Sequence, residues 1–158
     1  MFERYNEPAR RVIFFGRYEA SKLGSTVIET EHLLLGLLRE DWNLIEQHRP
    51  GATTDIRRRI RERNPARPEV STTVDLPLSV ECRRILAYAG DEADRLQHRD
   101  IRTDHLLLGI LRLPNCLAVT VLAETGITVD KLRESTEKSA STVRESSLEK
   151  QEKRPDEQ

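Results

Sequence analysis

Residues 30–40, TEHLLLGLLRE, decide the fold, because the chain repeats them almost letter for letter as TDHLLLGILRL at residues 103–113. The two copies lie 73 positions apart in a chain of 158 residues. Aligned without a gap, residues 9–39 and 82–112 are identical at 14 of 31 positions. The chain is therefore a tandem duplication, and the repeat is the unit from which its architecture is built.

An amphipathic helix is predicted upstream of each copy of this motif. Apolar or small residues recur at positions i, i+3, i+4, i+7, i+11 and i+14, counted from residue 9 and again from residue 82, which is helical spacing. Asn6 is the predicted N-cap of the first helix, with Pro8 in its first turn, and Ser79 is the predicted N-cap of the second. Each copy therefore opens on a helix with one apolar face.

The motif itself predicts a second, buried helix in each copy. Thr30 and Thr103 are the predicted N-caps, and the acid that follows each lies where the helix dipole favours negative charge. Gly36 and Gly109 fall inside these helices, where glycine costs up to about 1 kcal/mol relative to alanine. This placement indicates close packing against another backbone, and the other copy is one candidate.

Two further helices are predicted after each motif, and no segment alternates like a strand. We therefore predict an all-α, pseudo-twofold bundle of two tandem four-helix repeats. The predicted units are repeat 1 (1–64), a linker (65–77), repeat 2 (78–137) and a disordered charged tail (138–158), with 1–137 forming one compact domain.

Composition excludes several classes of protein. The formal net charge is −1 and aromatic residues make up 4%, which disfavours binding dominated by nucleic-acid phosphates or by base stacking. Cys82 and Cys116 are the only cysteines, so a disulfide scaffold or a four-thiolate zinc site is excluded. The chain shows neither a signal-peptide core nor a run of about 20 apolar residues. We expect a cytoplasmic, monomeric protein without membrane contact.

The duplicated motif resembles the Clp repeat (Clp N-terminal) domain, which stands at the front of the Clp AAA+ protein unfoldases. The resemblance is carried by I-x-T-E/D-H-L-L-L-G, which begins at Ile28 and again at Ile101, and by the helix before each copy. It covers roughly residues 1–137. None of the seven glycines precedes a lysine, so the nucleotide-binding motif G-x-x-x-x-G-K-[ST] is absent. The chain resembles the stand-alone Clp N-domain proteins that lack the motor.

The resemblance implies a non-catalytic module that binds substrate segments or adaptors and modulates a Clp unfoldase or protease. It also implies that Glu31 and Asp104, with Thr30 and Thr103, hold phosphoarginine or peptide, because a carboxylate can pair with a guanidinium group at two points. The alternative is that both acids only stabilise a helix N-terminus. Family members usually have glycine before the threonine, where this chain has Glu29 and Arg102. We therefore expect Glu31 to be the better cation site.

Other candidate residues support weaker hypotheses. Phe2, Trp42, Arg58 and Arg61 are candidates for a partner surface. The basic run Arg57–Arg63 suggests a second function, binding of nucleic acid, although a solvated helix face explains it as well. His32 and His105 raise a third, a small hydrolase, but one histidine per copy lacks the ligand count of a metal site. We predict structural histidines, no metal and no cofactor.

Overall fold

A computed structural model of the protein describes residues 2–138. Its helices are α1 (Glu7–Lys22), α2 (Thr30–Glu40), α3 (Trp42–Glu46), α4 (Ala52–Arg63), α5 (Val80–Arg95), α6 (Thr103–Arg112), α7 (Leu117–Glu124) and α8, which is helical over 129–138. The prediction of an all-α fold with four helices per repeat is confirmed. The predicted domain boundaries stay predictions. Of the predicted tail, Lys138 ends the described part of α8, and the remainder lies outside the described residues.

The first helix of each repeat begins where the sequence predicts. The Asn6 side chain accepts a hydrogen bond from the Ala9 backbone N–H at 3.0 Å, and the Ser79 hydroxyl accepts from the Cys82 N–H at 3.1 Å. Each cap satisfies a backbone donor that the first helical turn leaves unpaired. Most of the apolar stripe of α1 and of α5 is buried, as the spacing predicts, and Ile13, Leu23 and Leu96 are half-buried.

The mid-helix glycines of α2 and α6 lie against the backbone of the preceding helix. A Cβ added at Gly36 would overlap the Val12 carbonyl oxygen, and one added at Gly109 would lie 2.6 Å from the Ile85 carbonyl oxygen. The expected close packing is therefore real, but its partner is the first helix of the same repeat. The other copy, one of the candidates from the sequence, does not supply that backbone.

The two repeats exchange their leading segments. Tyr5, which precedes α1, forms a parallel bridge with Ile101 of repeat 2, and Leu78, which precedes α5, forms the same bridge with Ile28 of repeat 1. Ile101 N–H donates to the Arg4 carbonyl oxygen at 2.8 Å. Its counterpart is the 2.8 Å hydrogen bond from Ile28 N–H to the Pro77 carbonyl oxygen. Each repeat is therefore completed by a piece of the other.

A buried glutamate ties the helices of each repeat together. Glu19 on α1 pairs with Arg39 on α2 at 3.2 Å and with Arg57 on α4 at 3.3 Å. Glu92, at the matching position of α5, pairs with Arg112 and with Arg133. In each repeat, one buried acid thus pairs with arginines from two other helices, and Glu92 also pairs with Arg95 of its own helix.

No single helix within residues 2–138 is both long and apolar enough to cross a membrane. Helices α6 and α7 reach that length and composition only as a pair bent by 98°. Most of the apolar residues of α6, and Ala118, Val121 and Leu122 of α7, are buried in the core of the bundle.

Candidate functional site

The duplicated motif forms two equivalent helix starts, which we call box 1 (residues 29–32) and box 2 (residues 102–105). The residue before the threonine is the N-cap in each, Glu29 in box 1 and Arg102 in box 2. The prediction that Thr30 and Thr103 are N-caps is therefore wrong, because both threonines are the first helical residues.

At each helix start an imidazole three residues later accepts the backbone N–H of the N-cap residue. The Glu29 N–H donates to Nδ1 of His32 at 2.9 Å, and the Arg102 N–H donates to Nδ1 of His105 at the same distance. Both rings are fully buried, and burial lowers the pKa of each to about 4. Because Nδ1 accepts, the proton lies on Nε2. In box 2 this Nε2–H can donate to Nδ1 of His98, 2.8 Å away.

These contacts give the two histidines a structural role in capping. Among residues 2–138 no group of three or more histidine, cysteine, aspartate or glutamate side chains could hold a metal ion. A hydrolase built on either histidine would also need a ring nitrogen facing the substrate, and both rings are buried. We therefore set that hypothesis aside.

The threonine hydroxyls join the two repeats instead. The Thr103 hydroxyl donates to the Asp41 carboxylate, at the start of α3 in repeat 1, at 2.9 Å. The Thr30 hydroxyl accepts from the Ala118 N–H, at the start of α7 in repeat 2, at 3.4 Å. Each box therefore lies against the third helix of the opposite repeat. This use of the threonine is invisible in the sequence, because it depends on how the copies pack.

The carboxylate of box 1 has little compensation for its negative charge. Glu31 is half-buried, and the Thr30 hydroxyl donates to it at a long 3.4 Å. Burial is the main cause that raises its pKa and the Glu29 charge adds to the rise, whereas its own backbone N–H, the Thr30 hydroxyl and Arg67 oppose it. Across residues 2–138 no cationic side chain forms an ion pair with Glu31. A carboxylate in this situation gains free energy when a cation binds it.

The carboxylate of box 2 is already engaged. Arg102 donates from Nε to Oδ1 of Asp104 at 3.2 Å and from Nη2 to Oδ2 at 2.7 Å. The His105 N–H also donates to Oδ1, at 2.9 Å. The two boxes thus have the same backbone arrangement and differ in the charge of their side chains.

The four candidates for a partner surface do not lie on one element. Trp42 begins α3 with 57% of its surface exposed, next to the Asp41 that contacts box 2. Phe2 is half-buried, with its ring 5.2 Å from that of Tyr5. Arg58 and Arg61 lie exposed on α4, where Arg58 pairs with Asp55 at 2.6 Å.

The basic run on α4 is largely neutralised. Arg57 pairs with Glu19, and Arg59 and Arg63 both pair with Glu124 of α7. With Arg58 held by Asp55, four of the five arginines already contact an acid. Little unpaired positive charge remains for phosphate groups, so this arrangement weakens the nucleic-acid hypothesis.

Two apolar grooves follow the exchanged segments, and of the residues that line them the sequence had indicated only Phe2 as a candidate for a partner surface. One, of about 500 Å³, lies along α1 and is lined by Phe2, Arg10, Ile13, Phe14, Arg17, Ile28, Asp75, Leu76 and Leu78. The other, of about 440 Å³, occupies the matching place along α5. Phe14 is 66% exposed at the larger groove.

Residues 77–157 match the family described as the Clp repeat (R) N-terminal domain. The chain is 33% identical over 135 residues to the ATP-dependent Clp protease ATP-binding subunit ClpA homolog of Cyanidium caldarium. It is 30% identical over 137 residues to the negative regulator of genetic competence ClpC/MecB of Bacillus subtilis. These matches cover 84% and 85% of the chain but only 16% and 17% of the two relatives.

A solved structure agrees in fold. The N-terminal domain of the chaperone ClpD from Arabidopsis thaliana superposes with a TM-score of 0.67 at 26% identity. The superposition covers 90% of this chain and 98% of that domain. The similarity therefore extends over both repeats, including the part that the family match leaves out.

Proposed function

The chain belongs to the Clp repeat N-terminal domain family, and from that membership we propose that it is a non-catalytic module that binds protein segments or adaptors. The longer relatives carry this domain as about a sixth of their length. A module of this kind would recruit or withhold clients of a Clp unfoldase. The module itself would only bind, and the Clp unfoldase and its protease would carry out the catalysis.

The apolar groove along α1 is the observation that best supports protein binding. Contiguous exposed apolar surface rimmed by polar residues marks interaction sites, and here the exposed Phe14 ring continues an apolar cleft. Arg10 and Arg17 also line the groove, but they already pair with Glu7 and Asp75. The apolar lining would therefore match an extended segment with apolar side chains.

Box 1 supports a second contact within the same function. Glu31 is a half-buried carboxylate without an ion-pair partner among residues 2–138, and a guanidinium group would supply two aligned donors. We propose that Glu31, positioned by α2, accepts the guanidinium of an arginine or phosphoarginine side chain in the bound segment.

The test is binding of an unfolded protein that has been phosphorylated on arginine, measured by fluorescence anisotropy beside the unphosphorylated form. We expect the phosphorylated form to bind the wild type, Glu31→Gln to weaken it about tenfold or more, and Phe14→Asp to weaken both forms. Arg84→Glu, an exposed position on α5 that does not line the α1 groove, is the matched surface control and should change neither. Failure of both forms to bind would reject the function.

The nucleic-acid alternative has its own measurement. Because the α4 arginines are paired with acids, we expect no salt-dependent binding of duplex DNA even at low ionic strength. Binding that is lost in Arg58→Glu/Arg61→Glu would establish the alternative instead.

A further inference from the structure

Arg102 binds the Asp104 carboxylate in the way that a bound arginine ligand would. Its guanidinium approaches both oxygens of Asp104, with contacts of 3.2 and 2.7 Å. The Asp104 side chain is 14% exposed and that of Arg102 is 32% exposed, so the pair is largely screened from water. Two parallel N–H···O contacts to one carboxylate form the strongest and most specific geometry of such a pair.

Box 1 has the opposite charge at the same position. Glu29 takes the place of Arg102, so box 1 carries two acids where box 2 carries an acid and an arginine. The backbone of the two boxes is alike, since both N-caps donate to an imidazole at 2.9 Å. The difference in charge therefore comes from the N-cap side chain alone.

We propose that Arg102 is an internal ligand that closes box 2, so that one chain offers one guanidinium-accepting site, at Glu31. The inference rests on the proposed function of box 1, because it states how many such sites that function uses. Arg102 thereby determines the stoichiometry of ligand binding, and the duplicated fold works with a single open box.

Tethering explains why an external ligand does not displace Arg102. Arg102 lies two residues from Asp104 along the chain, and short connections of this kind give effective concentrations in the millimolar range or above. A free guanidinium ligand at micromolar concentration competes poorly against that. It would also have to order its own side chain, which Arg102 has already done on folding.

The experiment is calorimetric titration of phosphoarginine against the full chain and three variants. We expect one site in the wild type, two in Arg102→Met, and one in Arg102→Met/Asp104→Asn. The reciprocal change, Glu29→Arg, places an arginine before Glu31 and should abolish binding to box 1. Both positions should tolerate these substitutions. The N-cap hydrogen bond is made by the backbone, and the native Glu29 and Arg102 side chains are partly exposed.

The outcomes separate the two ideas. One site in both the wild type and Arg102→Met would overturn the role of Arg102 while leaving the function of box 1 intact. Two sites in the wild type, with one of them lost in Glu29→Arg, would overturn it as well. No site in the wild type but one in Arg102→Met would reject binding at Glu31 and support the closing of box 2. No site in any variant would reject both.

Nuclear magnetic resonance provides a readout without ligand. The Arg102 Nε–H should give a slowly exchanging signal at neutral pH in the wild type, because it is hydrogen-bonded and screened. Asp104→Asn should broaden or remove it, and saturating phosphoarginine should leave it in place. Displacement of that signal by the ligand would contradict the proposal.

Discussion

Two neutral histidines hold the starts of the box helices. His32 and His105 accept an N-cap hydrogen bond through Nδ1, which a protonated ring cannot do. Both rings lie in the core, where a positive charge would be poorly solvated. The folded protein therefore requires both rings to stay uncharged.

This requirement predicts a loss of stability in weak acid. The pKa of both rings is lowered to about 4, against about 6.5 in an unfolded chain. Between these values the unfolded chain binds more protons, so the free energy of unfolding is full above pH 6.5 and falls as the pH drops towards 4. The loss reaches up to about 3 kcal/mol per histidine. Urea midpoints at pH 7.5, 6 and 5 measure it.

The ring signals provide the control for that prediction. Both histidines should keep the Nε2–H tautomer at pH 5.5 in ¹⁵N spectra, and titration of either near pH 6.5 would contradict the assignment. Carboxylates such as Asp55, whose pKa is lowered to about 2 mainly by the hydrogen bond from Arg49, lose their contribution only at lower pH. The contribution of Asp55 therefore lies below the histidine window.

The sequence predicts helix caps correctly where the capping interaction involves only neighbouring residues. Asn6 and Ser79 each cap the helix that follows them. Thr30 and Thr103 failed as predicted caps, because the preference of threonine for that position is a local tendency. Here an imidazole three residues after the N-cap takes the capping hydrogen bond, and the opposite repeat engages the hydroxyl. Only the assembled fold contains that information.

At the scale of helices, the contact between α1 and α2 depends on the absence of a side chain at position 36. Helical periodicity and the two glycines indicated close packing in advance. They could not identify the contacting helix, because a closely packed backbone from any helix would require glycine at this position.

Gly36→Ala is therefore expected to destabilise the protein by about 1–3 kcal/mol in urea denaturation, since the new methyl meets backbone that cannot rotate away. Gly90→Ala is the matched control inside α5, where a Cβ would lie 3.8 Å from Ile101 Cδ1. That change should stabilise by up to about 1 kcal/mol, through helix propensity. Equal effects of the two substitutions would show that packing at position 36 is loose.

At the scale of the whole molecule, the repeats are two halves of one folding unit. Ile28 and Ile101 each pair with the leading segment of the other repeat, and each box contacts the third helix across the interface. The sequence predicted the duplication and the helix count. It could not predict the exchange, because bridges of one residue leave no alternating pattern to read.

This arrangement predicts a single unfolding transition. Trp42, the only tryptophan, reports on repeat 1, whereas far-ultraviolet circular dichroism reports on all helices. The midpoints of the two signals in urea should coincide. Residues 78–158 alone should be largely unfolded, because the partner of Ile101 is missing. A Trp42 transition that precedes the loss of helix would show that the repeats unfold independently.

The exchange of leading segments also sets an order for synthesis on the ribosome. Ile28 can form its bridge only after residues 77 and 78, about 50 positions later, have been synthesised. At 5–20 residues per second this delay is roughly 3–10 s. Tyr5 waits longer still, until Ile101 has emerged. A nascent chain halted in the connection between the copies would therefore carry a first copy that cannot close. Translation has to deliver both copies before either is finished.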